Sequence, residues 1–133
     1  MADKISFDLV SPEQLMLSEE ADMITIPGRE GDMGVMIGHA PLVSTLRPGT
    51  ITVSGGPHAA EQKFFVAGGF AEVTAEKLTV LAEEAVPLSE LDSAALELRI
   101  TAAQDALNAA KTDLDGTRAK ELVDYLTSLR VAH

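Results

Sequence analysis

Two patterns of hydrophobic and polar positions divide the chain near Pro87. In residues 1–87, apolar and polar positions alternate over short segments, as in Ile5-Ser6-Phe7-Asp8-Leu9, which indicates strands with one buried face. This part also holds nine of the ten glycines and all six prolines, which act as turn signals between the segments. The pattern predicts strands at residues 5–9, 23–26, 50–53, 63–67 and 78–82. Many short strands separated by turns favour a β-sandwich or a barrel.

After Pro87 the apolar positions recur every three or four residues, which predicts helices. Ser89 with Asp92 three residues later is typical of a helix start. Gly116 interrupts the apolar stripe and a second stripe follows it, so we predict two helices joined by a short turn at Gly116. The predicted fold class is therefore α+β in two parts, a sandwich in residues 1–87 and an antiparallel helical hairpin in residues 88–133.

The charge and composition of the chain exclude several classes of protein. The 133 residues carry a formal net charge of -11, which opposes binding to nucleic acid or to an anionic lipid surface. No Cys is present, so disulfides and thiolate metal sites are excluded. No signal peptide is visible, and the longest nearly apolar run, residues 64–71, is far shorter than a membrane span. We expect a soluble protein that reaches a membrane only through a partner.

The histidines do not match the spacing of a metal site, so we predict no metal ion. His58 lies in a Gly-Gly-Pro turn and His133 ends the chain, and both are expected to be solvated. His39 lies in the stiff turn Gly38-His39-Ala40-Pro41 between apolar stretches. Two interpretations of His39 stay open, a structural turn residue or a residue that contacts a partner.

The glycine-rich segment 28–34 displays two acidic residues, Glu30 and Asp32, which would repel a phosphate group. The simpler interpretation is a hairpin turn whose glycines supply positive φ and whose acids face solvent. The alternative is that the acids face a basic partner surface. Glu83 and Glu84 could imitate a catalytic acid/base pair, but adjacent strand residues point to opposite faces. A stand-alone enzyme using surface carboxylates is therefore only a further hypothesis.

Several motifs, in order along the chain, resemble the epsilon-subunit family of bacterial F-type ATP synthases, whose mitochondrial counterpart is called delta. The resemblance covers essentially the whole chain and is strongest from Phe7 to Glu83. The motifs that carry it are Val10-Ser11-Pro12-Glu13-Gln14, Gly31-Asp32-Met33-Gly34, Gly38-His39-Ala40-Pro41-Leu42-Val43, Arg47-Pro48-Gly49, Ala67-Gly68-Gly69-Phe70-Ala71-Glu72-Val73 and Leu78-Thr79-Val80-Leu81-Ala82-Glu83.

This resemblance implies a ten-stranded β-sandwich followed by a two-helix hairpin, placed in the central stalk of the rotor. It implies contact with the gamma subunit through Ser11, His39 and Ser44, and contact with the basic polar loops of the c ring through Glu30, Gly31 and Asp32. The chain would couple proton flow to ATP synthesis without catalysing a reaction or binding a cofactor. It would lie at the cytoplasmic face of the bacterial inner membrane, without inserting into it.

For the hairpin, the resemblance implies a regulatory element that can extend along gamma and reach the alpha and beta subunits. Some relatives bind ATP through a Leu/Ile-Asp-x-x-Arg-Ala motif. Here Asp92 is kept, Ala95 replaces the Arg, and a similar string containing Arg118 occurs near the inter-helix turn. Asp92 and Arg118 are thus the candidate nucleotide-binding residues of the alternative function, a regulator whose hairpin closes over ATP. The segment from residue 88 onward has a net charge of -3, eight acidic against five basic residues, which opposes strong electrostatic inhibition.

Overall fold

The computed structural model describes residues 4–56 and 61–132. His58 and His133, both expected to be solvated, lie outside these residues. Internal contacts divide the chain into two units, Met1–Leu88 and Ser89–His133.

The first unit is built from strands. In the described residues these are β1 (Ile5–Val10), β2 (Leu15–Ala21), β3 (Met23–Gly28), β4 (Gly31–Val35), β5 (Leu42–Leu46), β6 (Gly49–Ser54), β7 (Gln62–Val66), β8 (Gly69–Val73), β9 (Lys77–Ala82) and β10 (Ala85–Pro87). All five segments predicted from the alternation coincide with strands, to within a residue or two at their ends.

The ten strands form two five-stranded halves. One half has the order β5-β8-β9-β1-β2 and the other β10-β7-β6-β3-β4. They meet at a corner where Gly28 of β3 pairs with Leu46 of β5. Every pairing is antiparallel except that of β1 with β9. We call the face of the β5-β8-β9-β1-β2 half that points away from the core the outer face.

One hydrophobic core joins the two halves, since each of the ten strands contributes to it. The fully buried members include Phe7 of β1, Ile24 of β3, Ile51 of β6 and Val80 of β9. Burying a side chain of this size contributes roughly 1.5–3 kcal/mol. The two halves are therefore the layers of a β-sandwich, and the predicted fold class is confirmed.

The turn into β8 requires glycine because the backbones of two strands approach closely there. Gly69 has φ +136°, and a Cβ atom at this position would lie 2.1 Å from the carbonyl oxygen of Leu81. The register of β8 against β9 therefore depends on this glycine.

The second unit is helical. A 3₁₀ turn, Leu88–Glu90, precedes α1 (Ser93–Ala109), and α2 covers Asp113–Ala132. The predicted start at Ser89 is wrong, because Asp92 is the N-cap and its carboxylate accepts a hydrogen bond from the Ala95 N–H at 2.9 Å.

The predicted turn at Gly116 is also misplaced. Residues 110–112 connect the two helices, and Gly116 lies inside α2, where its N–H donates to the Thr112 carbonyl at 3.0 Å. The hydroxyl of Thr112 accepts from the Asp115 N–H at 3.1 Å. A threonine cap therefore sets the start of α2, and the helix tolerates a glycine in its first turns.

Candidate functional site

The predicted c-ring contact, Glu30, Gly31 and Asp32, lies at the end of the β3–β4 hairpin. Gly28 pairs with Gly31 across it, and Arg29 and Glu30 form the two-residue turn. Gly31 has φ +144°, whereas Gly28 and Gly34 lack positive φ. Gly28 is needed for space instead, since a Cβ there would lie 2.7 Å from the Gly31 carbonyl oxygen. We call residues 29–32 the hairpin tip.

The two acids of the hairpin tip have different surroundings. The Asp32 carboxylate accepts a hydrogen bond from the Arg47 guanidinium at 2.5 Å, within an ion pair. Glu30 lies in the exposed turn, and no ion pair joins it to another side chain in residues 4–56 and 61–132. The sequence motif displays both acids alike, but within the part of the chain that the structure describes Asp32 is paired with Arg47 and Glu30 has no ion-pair partner.

The predicted gamma-contact residues are spread along the half that contains β5. Ser44 is half-buried in β5, and its hydroxyl donates to the Thr45 carbonyl at 3.1 Å. His39 is half-buried in the loop before β5, with Nδ1 2.8 Å from the Ala40 carbonyl oxygen. Ser11 lies in the turn after β1, where its N–H and hydroxyl both donate to the Gln14 carbonyl. Two strands, β8 and β9, separate Ser44 from Ser11.

An exposed apolar row lies on the outer face of this half, and the sequence motifs did not reveal it. Thr45 pairs with Phe70, Phe70 with Leu81, Leu81 with Val10 and Val10 with Leu15. Phe70 is 47% exposed, Leu81 41% and Leu15 57%. Residues paired in register have their Cβ atoms about 5 Å apart, so these side chains form a continuous strip. We call Phe70, Leu81, Val10 and Leu15 the apolar row.

The apolar row ends beside Ser11, whereas Ser44 pairs with buried Ala71, so its side chain lies on the opposite face from the row. Thr45, next to Ser44 in β5, begins the chain of paired residues, and Ser11 directly follows Val10. A sequence signal for the row exists. Phe70 and Leu81 each lie two residues from a polar residue of the same strand, Glu72 and Thr79 respectively, and therefore on the same outward face. The signal is difficult to recognise because both strands also carry apolar residues, Ala71 and Val80, on the buried face.

A shallow cavity lies beyond the Ser11 end of the apolar row. Its volume is about 230 Å³. The β1–β2 turn and the β9–β10 turn line it, including Ser11, Glu13, Met16 and Glu83. A partner that covered the apolar row would meet a polar, acidic rim at this end.

A polar network lies on the outer face beside the apolar row. Asp8 accepts a hydrogen bond from the Ser18 hydroxyl at 2.7 Å and pairs with the Lys77 ammonium at 3.0 Å. The Ser18 bond first, and Lys77 second, lower the pKa of the Asp8 carboxyl below 3.8. Hydrogen bonds and an opposite charge favour the ionised form, so an ionised Asp8 links β1 to β2 through the Ser18 hydroxyl and to β9 through the Lys77 ammonium.

The two candidate nucleotide-binding residues are far apart along the hairpin. Asp92 caps the start of α1, and Arg118 lies in the second turn of α2. Because the short connection makes the helices antiparallel, these positions are about 15–20 Å apart along the hairpin axis at 1.5 Å per residue. The Asp92 carboxylate is also occupied by the cap bond to Ala95. The structure therefore does not bring the two residues together.

The described residues form neither a metal site nor a membrane-spanning helix. Among residues 4–56 and 61–132, no group of three His, Asp or Glu side chains is placed to hold a metal ion. None of the helices in this part of the chain combines the length and the apolar character that crossing a membrane requires.

An exposed apolar row and a projecting acidic hairpin are features of a β-sandwich that binds other proteins. The family model described as "ATP synthase, Delta/Epsilon chain, beta-sandwich domain" matches residues 4–88. The chain is 54% identical over 130 residues to the ATP synthase epsilon chain of Parvibaculum lavamentivorans, covering 98% of each chain. It is 49% identical over 123 residues to that of Paramagnetospirillum magneticum, covering 92% of each.

A solved structure agrees with these relatives. The chain is similar, with a TM-score of 0.75 and 27% identity, to a chain in the cryo-EM structure of the Euglena gracilis mitochondrial ATP synthase, OSCP/F1/c-ring in rotational state 1. The match covers 97% of this chain and 81% of that chain. The protein belongs to the ATP synthase delta/epsilon family.

Proposed function

We propose that this chain is a central-stalk subunit that couples proton flow through the c ring of an F-type ATP synthase to ATP synthesis. Family membership and the near-complete coverage of curated epsilon chains support the assignment to this complex. In this role the chain transmits torque, and the chemistry of ATP belongs to the alpha and beta subunits. The chain lies at the cytoplasmic face of the bacterial inner membrane and is held there by its partners.

The apolar row is the observation that carries the gamma contact. Roughly 25 cal/mol is gained per Å² of apolar surface removed from water, so a row of three exposed large side chains favours a permanent partner. In the proposed arrangement gamma covers the row, Ser11 lies at the polar border of the row, and Ser44 and His39 are gamma contacts outside it. A half-buried hydroxyl at the border of an apolar patch matches the usual anatomy of a protein interface.

The hairpin tip is proposed to face the c ring. Glu30 and Asp32 are exposed acids on a projecting turn, and basic c-ring loops would complement them. Charge complementarity of this kind sets orientation and the rate of docking more than affinity. Gly31 allows the chain reversal that presents Glu30.

Reconstitution tests this function directly. Membranes stripped of their own subunit should recover ATP-driven proton pumping when this chain is added, and the chain should co-purify with alpha, beta and gamma. Strong binding to gamma without recovered pumping would contradict the coupling role. A chain that stays a free monomer in the presence of gamma would contradict the whole proposal.

The helical hairpin is proposed as a regulatory element that acts on alpha and beta. The separate contact unit formed by Ser89–His133 supports an element that can move as a body. Nucleotide sensing through Asp92 and Arg118 is the alternative, and the distance between these residues opposes it. Isothermal titration with millimolar ATP separates the two functions, since a sensor must bind and a purely mechanical element need not.

A further inference from the structure

We propose that Arg47 is a positioning residue for the hairpin tip. Its guanidinium ties Asp32 back to the end of β5, and Glu30 is left as the carboxylate that a basic loop of the partner meets. The inference rests on the proposed function, because it assigns different roles to the two acids of the same contact.

Three interactions connect the β3–β4 hairpin to the end of β5 and the residue that follows it. The Arg47 N–H donates to the Pro27 carbonyl at 3.0 Å, and the Arg29 N–H donates to the Thr45 carbonyl at 2.9 Å. The third tie is the ion pair of Arg47 with Asp32. All three connect the two arms of the hairpin to residues 45–47, next to the corner where the two halves of the sandwich meet.

The turn that carries Arg47 is itself stiff. Pro48 follows it with a fixed φ. A Cβ atom at Gly49 would lie 2.5 Å from the Cβ of Pro27, so the turn packs directly on the hairpin. The backbone at Arg47 is therefore held in place, and its forked guanidinium suits a carboxylate held in one orientation.

Electrostatics and positioning predict opposite results for one substitution. Arg47→Gln removes a positive charge from the neighbourhood of the hairpin tip. If only the net charge mattered, the variant would dock more strongly on a basic loop. If Arg47 holds Asp32 in place, the variant docks more weakly because the tip must be ordered on binding.

The first measurement is hydrogen exchange of residues 26–34 in the full-length free chain. We expect Arg47→Gln and Asp32→Asn to increase exchange roughly two- to fivefold, the range of an exposed ion pair. Glu30→Gln should leave exchange unchanged, because Glu30 is not part of the tie. The double charge swap Arg47→Asp with Asp32→Arg should restore protection, while each single swap should lose it.

The second measurement is ATP-driven proton pumping by stripped membranes reconstituted with the single variants. Arg47→Gln should lower pumping; the double swap is confined to the exchange measurement, because it would place an arginine in the contact proposed for the basic c-ring loops. The matched control is Lys4→Gln, which breaks the ion pair with Asp22 far from the tip; the side chains of that pair are 37% and 57% exposed, against 32% and 67% for Arg47 and Asp32. This control should leave pumping unchanged.

The outcomes separate the inference from the function on which it rests. Pumping by Arg47→Gln that equals or exceeds that of the unmodified chain overturns the positioning role, as does a double swap that fails to recover protection from exchange. In that case a loss with Glu30→Gln still supports the c-ring contact. If the unmodified chain itself restores no pumping, the proposed function fails. If Arg47→Gln does not fold, the same measurements are made with Arg47→Lys, which keeps the positive charge but lacks the forked guanidinium.

Discussion

Phe70 of β8 and Leu81 of β9 lie directly opposite each other in an antiparallel ladder, and both side chains face outward. Their neighbours Ala71 and Val80 form another such pair, but this one is buried in the core. The two strands therefore present apolar side chains on both faces. A strand that is apolar on both faces is usual when both are covered, so a partner is expected over the outer one.

Replacing Phe70 with Glu should weaken the proposed contact with gamma and leave the fold intact. Because Phe70 is 47% exposed in the free chain, a carboxylate there stays in contact with water, whereas it would be buried under gamma. Loss of a central aromatic at an interface typically costs about 2–4 kcal/mol, a weakening of roughly 30- to 1000-fold. Binding of full-length chain to isolated gamma measures it. Leu98→Glu in α1, where the leucine is 74% exposed, is the control and should bind normally. Equal binding by both variants would place gamma elsewhere.

Asp8 should make stability depend on pH at the acidic end. Its folded-state pKa is depressed below 3.8, by the Ser18 hydroxyl first and Lys77 second. The stability it adds is therefore present above the unfolded-state pKa and is lost as the pH falls through the folded-state value. Asp8→Asn should cost about 1 kcal/mol at neutral pH, and this difference should shrink as the pH falls through the folded-state pKa of Asp8.

Thermal unfolding of the full chain across this pH range measures the effect. Lys77→Gln, which keeps the Ser18 bond, should lose only part of the stability. A constant difference between Asp8→Asn and the unmodified chain from neutral to strongly acidic pH would show that ionisation of Asp8 is not involved.

The sequence predicted the strands well where one face is buried and poorly where it is not. Residues 5–9 alternate cleanly because Ile5, Phe7 and Leu9 all enter the core. β2 gave no such signal, since a bulge between Leu9 and Val10 shifts its register and places Leu15 outside. Alternation along a strand shows only which residues share a face, and a register shift of one residue moves the following side chains to the opposite face.

The candidate sites were predictable to different degrees for related reasons. Glycine and acidic residues close together mark the hairpin tip in the sequence, but the pairing of Asp32 with Arg47 joins residues 15 apart through the fold. The apolar row depends on the register of three strand pairs, which periodicity along one strand does not contain. Helix boundaries failed at Ser89 and Gly116, where side-chain caps at Asp92 and Thr112 decided the outcome.

The sandwich should fold without the helical hairpin. Its buried core cluster runs from Ile5 to Ala85, and among the residues whose side chains the structure describes no member comes from the helices. A chain ending at residue 87 should therefore unfold cooperatively on heating and still bind gamma, because the apolar row is complete in it. Circular dichroism at strand wavelengths and binding to gamma are the measurements. A truncated chain that folds but does not bind would show that the hairpin supplies part of the gamma contact.

Gly116→Ala should stabilise α2. Gly116 occupies a helical position that does not require positive φ. An added Cβ would meet only the Ala110 Cβ, at 3.9 Å, an ordinary contact. Alanine loses less conformational entropy than glycine in a helix interior, so the gain should be about 0.5–1 kcal/mol. Slower hydrogen exchange in residues 113–120 and a higher unfolding temperature would show the stabilisation.

Gly69→Ala is the contrasting variant, because its Cβ would collide with the Leu81 backbone and destabilise the sandwich. If Gly116→Ala instead speeds exchange, the turn between the helices includes Gly116, as the apolar periodicity alone had predicted.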